Sequence, residues 1–571
     1  MEKLLREIYN SIVNDTAPRL PRNRKLEKKA VKLPNKRYLA FISVDDLESR
    51  ALVSNGQGKS LKKAIEVAIE NFKTLKPSNF TPKTVKLDVV SSIKPILRKN
   101  NIIDLKKDEI KYNRGLDGIA FGSDFHTAFL PQEVTGYNMI KSRKFNIKRA
   151  FNALHNHLPT TFSTFAEPID NNSQTEAYRF RTKSYFINEK GFVKLYRGHK
   201  IYKTLTEADL KDAITLTKDN YFKNVVGKNG KFIYSFLPAV NKREKRYNIL
   251  RHAGTVYSML EIYEIMPDEE LMEEIKRAFE FLINKIKPLE INGEKVKVVV
   301  EKDAHKVGGN ALAIIAFAKY TQITKDTQYV KLMQDLASWM KHVQDETGRF
   351  TVHKQRYSTG EPFDFVSHYY PGEAILSLVR LYQIDKNEEW LDVAEKAAQY
   401  LITIRDRDVT IDTIAHDHWL LYGLNELYRE RQKDIYLNHS FFIAEAMMKT
   451  QITKDTASRK ELVGGYVPKS GNEPRSTPVA CRSEGLGAAY RLARDFNHPD
   501  IANKMKKAIE NGIKFQLQMQ LKPESVMYYK NKKLCLGAVQ SGLKTFDLRI
   551  DYTQHNISSF ISYLKILKEN K

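Results

Sequence analysis

The chain has 571 residues, 42% of them hydrophobic and 11% aromatic, which excludes a disordered polymer and exceeds what one compact core usually organises, so two domains are expected. Two cysteines, Cys481 and Cys535, exclude a disulfide framework and have no metal-ligand spacing, and no apolar run approaches the roughly 18 residues of a membrane span. The formal charge of +26 fits either attraction to a polyanion or a lysine-rich background spread over solvated faces; with one dense run (residues 25–37) and no interleaved aromatic ladder, a dedicated nucleic-acid binder is not expected.

MEKLLREIYNSIVNDTAPRL carries charges inside its first apolar run and lacks a cleavage site, so it reads as an amphipathic helix and not a signal peptide; a cytoplasmic protein is expected. RYLAFISV (37–44) is a strand. SNGQGKS (54–60) fails the phosphate-loop spacing, because only two residues separate Gly56 from Lys59, and reads as a turn with Ser60 capping a helix over 59–75. VKLDVVSSI (85–93) alternates as a strand. GIAFGSDFHTAFLP (118–131) reads as a hairpin turning at Gly122–Ser123, with Asp124 and His126 as turn residues, and YRFRTKSYFI (178–187) is another strand. Residues 1–195 are therefore an α+β domain.

Within it, Gly115-Leu116-Asp117-Gly118-Ile119, Leu130-Pro131-Gln132 and Tyr178-Arg179-Phe180-Arg181 resemble the ordered words of AMMECR-type domains. The family's Arg-Gly-Cys-Ile-Gly stretch is replaced by Arg50-Ala51-Leu52-Val53-Ser54-Asn55-Gly56, without a cysteine. The resemblance implies a fold more than a function.

Past residue 205 helical periodicity takes over and the strands largely vanish. Six apolar helical segments begin at His252, Gly308, Tyr370, His416, Arg482 and Asp551, each opening on a polar or glycine-containing cluster. The first five are followed by an amphipathic helix, and TEADLKDAITLTKDNYF (206–222) supplies a sixth. Inner helices apolar nearly all round, wrapped by outer ones, predict an all-α (α/α)6 toroid over 205–571, with the terminal helix closing the ring instead of capping an open solenoid. The whole chain is thus multidomain, α+β then toroid.

In such a ring all the inner N-termini gather at one mouth. The residues placed there are Arg251 and His252; Asp303 and His305; Asp364, Tyr369, Tyr370 and Glu373; His416, Asp417 and His418; Arg482 and Glu484; and Asp551, Tyr552 and His555. Helix dipoles and guanidiniums at such a mouth favour a carboxylate, so an acidic carbohydrate is the expected partner. Tyr369-Tyr370-Pro371-Gly372-Glu373-Ala374 and Asp551-Tyr552-Thr553-Gln554-His555-Asn556 are similar to segments of glucuronyl C5-epimerases, within the six-hairpin glycosidase superfamily, and the resemblance implies carbohydrate chemistry as a class.

Hydrolysis needs two carboxyl groups, drawn from Glu373, Asp417, Glu484 and Asp551. Epimerisation or elimination needs proton transfer beside a carboxylate, for which Tyr370, Tyr552, His416, His555 and Arg251 are available. Hydrolysis of a uronic-acid-type glycan ranks first as the commonest use of the architecture; a non-catalytic binder of an acidic polymer is the rival from another class. No cofactor or metal is expected, since the i, i+2 spacing of His416 and His418 on a helix would split them onto different sides. Bland roles stand beside these: His252 satisfying an inner helix, Glu373 bonding to helix N–H groups, Arg482 pairing with Glu484, and Asp551 acting as an N-cap.

Overall fold

The computed structural model describes residues 1–96, 112–125, 127–141, 144–158, 177–467 and 473–569. The N-terminal part opens on helix α1 (Glu2–Val13), followed by β1 (Tyr38–Asp45), β2 (Leu52–Gly58), helix α2 (Leu61–Leu75), β3 (Thr84–Ile96), β4 (Gly118–Phe121), β5 (Thr127–Phe129), β6 (His157–Leu158), β7 (Ala177–Asn188), β8 (Gly191–Tyr196) and β9 (His199–Lys200). They form one sheet in the order β9-β8-β7-β3-β1-β2-β6, with the β4–β5 hairpin attached to β7. His126, read as a hairpin turn residue, lies outside the described residues.

Both faces of this sheet are buried, which is why β1 reads as a continuous apolar run. Ala40, Ile42 and Val44 pack with Leu5, Ile8, Ile65 and Phe72 of α1 and α2. Leu39 and Phe41 point the other way, into a cluster with Phe125 and Phe180. The glycines of SNGQGKS let α2 lie on β2: a Cβ on Gly56 would fall 2.3 Å from the Ala64 carbonyl oxygen. Ser60 caps α2, accepting from the Lys63 N–H at 3.2 Å. The words of the N-terminal resemblance meet in space. Asp117 accepts from Arg179 (3.0 Å) and Arg181 (2.6 Å), and Gln132 bridges the Gly115 carbonyl and Lys86.

From Glu207 onward the chain is mainly helical. The outer helices are α3 (Glu207–Leu216), α5 (Glu269–Ile283), α7 (Val330–His342), α9 (Glu388–Tyr400), α11 (Asp434–Lys449) and α13 (Pro499–Gln516). Alternating with them are the inner helices α4 (Ile249–Ile265), α6 (Val307–Thr324), α8 (Tyr370–Asp385), α10 (His418–Glu430), α12 (Ser476–Asp495) and α14 (Ile550–Glu569). Each inner helix packs on the next, and α14 packs on both α12 and α4, so the six close into a ring. Burial follows the periodicity. α6 is buried continuously from Val307 to Thr321, whereas α7 buries one stripe made by Met333, Leu336, Ala337, Trp339 and Met340.

Glycines set how closely the inner helices approach. A Cβ on Gly372 of α8 would fall 2.5 Å from the Leu420 nitrogen of α10, and one on Gly485 of α12 would fall 2.9 Å from Leu421 of α10. These are the glycine clusters read as helix starts.

Strands do not vanish after residue 205. A hairpin of Ile286–Ile291 and Glu294–Glu301 joins a four-stranded sheet with Ala304–Lys306 and Lys354–Arg356. Its turn, Asn292-Gly293, has both residues at positive φ (51° and 82°), the two-residue turn whose twist matches a hairpin. A second small sheet pairs Ser235–Leu237 with Thr545–Arg549, tying the start of the ring to its end.

The segment after α13 reaches into the N-terminal part. Tyr528 is buried there, its hydroxyl 2.8 Å from Ser43 Oγ and accepting from Lys86 Nζ at 3.3 Å, while Lys532 pairs with Asp45 and Arg197 with Glu461. Among the described residues no helix is long and apolar enough to cross a membrane.

Candidate active site at the mouth of the helical ring

The N-terminal turns of the inner helices open on a cavity of about 1090 Å³. Of the residues read from the sequence, Arg251, Tyr369, Tyr370, Glu373, His416 and His418 line it, as do Arg482, Asp551, Tyr552 and His555. His252, Asp303, His305, Asp364, Asp417 and Glu484 do not.

Each of those six has a physical reason for its position. His252 is fully buried on the outward side of α4, between the Tyr247 hydroxyl at Nδ1 (2.7 Å) and the Ala278 carbonyl of outer helix α5 at Nε2 (2.8 Å). Those partners need one acceptor and one N–H, which is the neutral ring, and burial pushes its pKa down to about 4. Asp303 and His305 belong to the small sheet, Asp303 in a turn bonded to Ser358 and His305 donating from Nε2 to the Gln355 amide oxygen (3.0 Å) against Trp339. Asp364 lies in the exposed connection before α8. Asp417 is the N-cap of α10, its Oδ1 accepting from the Trp419 and Leu420 N–H groups; burial pushes its pKa up to about 7. Glu484 sits behind His555, at 2.8 Å from Nδ1.

His416 and His418 both reach the cavity, contrary to the i, i+2 expectation. The helix begins only at His418, so His416 lies ahead of the cap, in a tight turn where the Asp417 N–H donates to the Ala415 carbonyl (2.9 Å), and the helical spacing does not apply to it. Arg482 does not pair with Glu484: its Nε donates to His416 Nδ1 (3.0 Å) and Nη1 to the Pro478 carbonyl (3.0 Å).

Asp551 is not a helix cap. It is 3% exposed and held between two guanidiniums, Arg251 of α4 (Nε–Oδ2 3.1 Å) and Arg549 (Nη2–Oδ2 2.8 Å). Across the ring on α8, Glu373 is buried, and its Oε2 has no hydrogen-bond partner among the described residues. Burial, reinforced by the nearby Asp417 carboxyl, holds the Glu373 pKa well above the ordinary carboxyl value and so favours its protonated form. Tyr370 stacks with His353 at a 6.0 Å ring separation and flanks Glu373 at the floor.

The rim is apolar and exposed. Phe365, Val366, Tyr369 and Val467 are 40–67% exposed and all line the cavity. Of these only Tyr369 was read from the sequence; Phe365, Val366 and Val467 were missed, together with Arg475, Arg549 and Cys481. α12 begins at Ser476, six residues ahead of the start expected at Arg482, with Arg475 just before it and Pro478 in its first turn, where proline is well tolerated. Among the described residues neither Arg475 nor Arg482 makes an ion pair; Arg475 donates to Ser541 Oγ (3.2 Å).

No family model matches the chain, and no curated protein does. Solved structures similar to it include the GH76A α-1,6-mannanase from Salegentibacter sp. HEL1_6, 13% identical, over 63% of this chain and 99% of that one, TM-score 0.42. Cellobiose 2-epimerase from Spirochaeta thermophila is 12% identical, over 64% and 100%, TM-score 0.45. A family 76 glycoside hydrolase from a bovine Bacteroides thetaiotaomicron strain is 11% identical, over 85% and 97%, TM-score 0.46. The mannanase and epimerase activities named here are those of the similar proteins.

Proposed function

We propose that the ring is a carbohydrate-active enzyme of the six-hairpin glycosidase type that hydrolyses an acidic, uronic-acid-type glycan or its fragments. The observation that carries this reading is the placement of two carboxyl groups in opposite surroundings on opposite inner helices. Glu373 on α8 is buried without a partner for Oε2, and Asp551 on α14 has both oxygens taken by guanidiniums. Glu373 can give its proton to a leaving glycosidic oxygen while Asp551, as carboxylate, supports the developing oxocarbenium charge or activates water. The exposed aromatic rim suits the apolar faces of sugar rings, and the cavity holds several of them. Arg475 and Arg482, without carboxylate partners, supply the seat for the substrate's own carboxylate. The N-terminal kinship with AMMECR-type domains belongs to this proposal too, supported by the contact of Asp117 with Arg179 and Arg181.

A second reading, sugar epimerisation, is favoured by two imidazoles facing one another, His418 and His555, with ring centroids 5.3 Å apart. The test is incubation of the full chain with acidic and neutral oligosaccharides, products followed by mass spectrometry and NMR. Shortened products, lost about 10²–10⁴-fold in Glu373→Gln, support hydrolysis. Products of unchanged mass and inverted configuration favour epimerisation. Saturable binding without turnover of any glycan makes the ring a binding protein.

A further inference from the structure

Three consecutive inner helices bring a second set of groups together at the cavity floor. His418 is the first residue of α10, Cys481 and Glu484 lie three residues apart on one face of α12, and His555 is one turn into α14. One ligand-type atom from each of these four lies within 4.8 Å of those of all the others. We infer that His418, Cys481 and His555 bind a zinc-class divalent cation, with Glu484 orienting His555.

His418 makes the strongest case. It is 4% exposed, yet neither ring nitrogen has a hydrogen-bond partner among the described residues. Its surroundings are aromatic, with Tyr369, Trp419 and His555 against the ring. A buried imidazole with two unsatisfied nitrogens is costly, and nearly all such groups in native proteins find a partner. A cation between His418 and Cys481 provides one.

His555 is already posed as a ligand. Its Nδ1 is engaged by Glu484 at 2.8 Å, the carboxylate–histidine arrangement that fixes a tautomer and presents Nε2 to a metal. Tetrahedral zinc, with bonds of about 2.0–2.3 Å, needs ligand atoms about 3.3–3.8 Å apart, so the group closes by about 1.5 Å at most. The donor set of one sulfur and two imidazole nitrogens suits zinc and disfavours magnesium or calcium, which demand oxygen. One thiolate and one carboxylate also balance a double positive charge. His418, Cys481 and His555 all line the cavity whereas Glu484 does not, so the fourth coordination position opens toward the substrate.

The site escaped sequence reading because its members are spread from residue 418 to residue 555 and share no local spacing. It is independent of the carbohydrate reading, so its test uses no turnover. The full chain is stripped with a chelator and titrated with Zn²⁺ alone, with stoichiometry from elemental mass spectrometry and affinity from competition with a chromophoric chelator. It is then titrated with Co²⁺ alone, followed by absorbance. One equivalent of zinc per chain, and a cobalt spectrum with a thiolate charge-transfer band that disappears in Cys481→Ser, are expected. His418→Gln should weaken binding at least 100-fold and Glu484→Gln about 10–100-fold, in variants whose circular dichroism matches the parent. Far less than one equivalent of bound zinc, or a cobalt spectrum unchanged by Cys481→Ser, overturns the site. Metal binding without activity on any glycan leaves the site standing and removes the hydrolase reading; glycan turnover by a protein that takes up no zinc does the reverse.

Discussion

Arg251 of the first inner helix and Asp551 of the last are joined by a 3.1 Å ion pair, so the ring is closed by charge at the same place where its proposed chemistry sits. Both ends of the helical sequence therefore have to be folded before the cavity is complete. Arg549 grips the same carboxylate from the strand that pairs with Ser235.

Replacing Asp551 by Asn leaves two guanidiniums facing one another with a neutral amide between them. Breaking a fully buried pair costs about 3–5 kcal/mol, but the side chains of Arg251 and Arg549 are 38% and 26% exposed and solvent screens part of it. Asp551→Asn is expected to lose about 1–2 kcal/mol in urea unfolding and most glycan turnover, with the fold retained. Stability and turnover both equal to the parent's would detach Asp551 from the ring closure and from the chemistry.

Two adjacent glycines at the start of α6 should respond in opposite ways. A Cβ on Gly308 would lie 2.3 Å from Glu373 Oε2 and 2.5 Å from Tyr370 Cδ1. At Gly309 the nearest atom is 3.7 Å away. Gly308→Ala should cost about 1–3 kcal/mol by overpacking and displace Glu373, abolishing turnover. Gly309→Ala should be neutral or stabilise by up to about 1 kcal/mol, because alanine favours the helix. Equal effects at the two positions would mean that Gly308 does not seat Glu373.

His252 gives a pH dependence whose sign is fixed. In the folded state it is neutral, pushed down to about 4 by burial among Phe232, Tyr247 and Phe281, with no charged side chain against it; unfolded, it titrates near 6.5. Between those values the unfolded chain binds the extra proton, so this stabilisation is complete above pH 6.5 and is lost as pH falls toward 4. Between pH 7 and pH 5 it contributes about 2 kcal/mol of lost stability. Buried acids such as Glu373 pull in the other direction, so the quantity to measure is a difference. The fall in unfolding free energy from pH 7 to pH 5 should be about 2 kcal/mol larger in the parent than in His252→Gln. An identical fall in both would place the His252 pKa near its unfolded value.

The same residue shows where sequence reading stops. Helical period and all-round apolarity located the inner helices, because a helix buried on every side needs such a composition, as α6 does. Which way a polar residue at a helix start points depends on partners that arrive from elsewhere in the chain. His252 was grouped with the mouth, but its acceptor is the Ala278 carbonyl of an outer helix. Cys481 was set aside for want of ligand spacing because its neighbours in space, His418 and His555, are far away in sequence. The Asn292-Gly293 hairpin was missed although its signal is local, two turn residues between strand-like runs, because the surrounding helical period dominated the reading.

The junction between the two parts can be weakened at one atom. Tyr528, carried by the ring's last loop, places its hydroxyl between Ser43 and Lys86 inside the N-terminal sheet, where Lys86 and Asp88 form a fully buried ion pair at 2.9 Å. Tyr528→Phe preserves the packing against Leu39 and Phe41 but leaves Ser43 and Lys86 each short of a partner. A loss of about 1–3 kcal/mol is expected, seen as a lower urea midpoint for the whole chain. A midpoint unchanged from the parent would show that water replaces the hydroxyl at no cost.

Substrate charge is read most directly at Arg482. Its guanidinium lines the cavity and is held by two neutral acceptors, His416 Nδ1 and the Pro478 carbonyl, so its orientation is fixed while its charge stays uncompensated. Burial lowers its pKa, yet a guanidinium starts so far above the physiological range that it remains a cation across it. A hydrogen bond to a charged partner contributes about 1.5–3 kcal/mol, equivalent to roughly 10–100-fold in affinity. Arg482→Gln keeps a donor of similar reach and removes the charge. The KM for a uronic-acid oligosaccharide should therefore rise about 10–100-fold, with the KM for a neutral oligosaccharide of equal length unchanged. Equal losses on both substrates would make Arg482 a support for His416, and the acidic-substrate assignment would then rest on Arg475 alone.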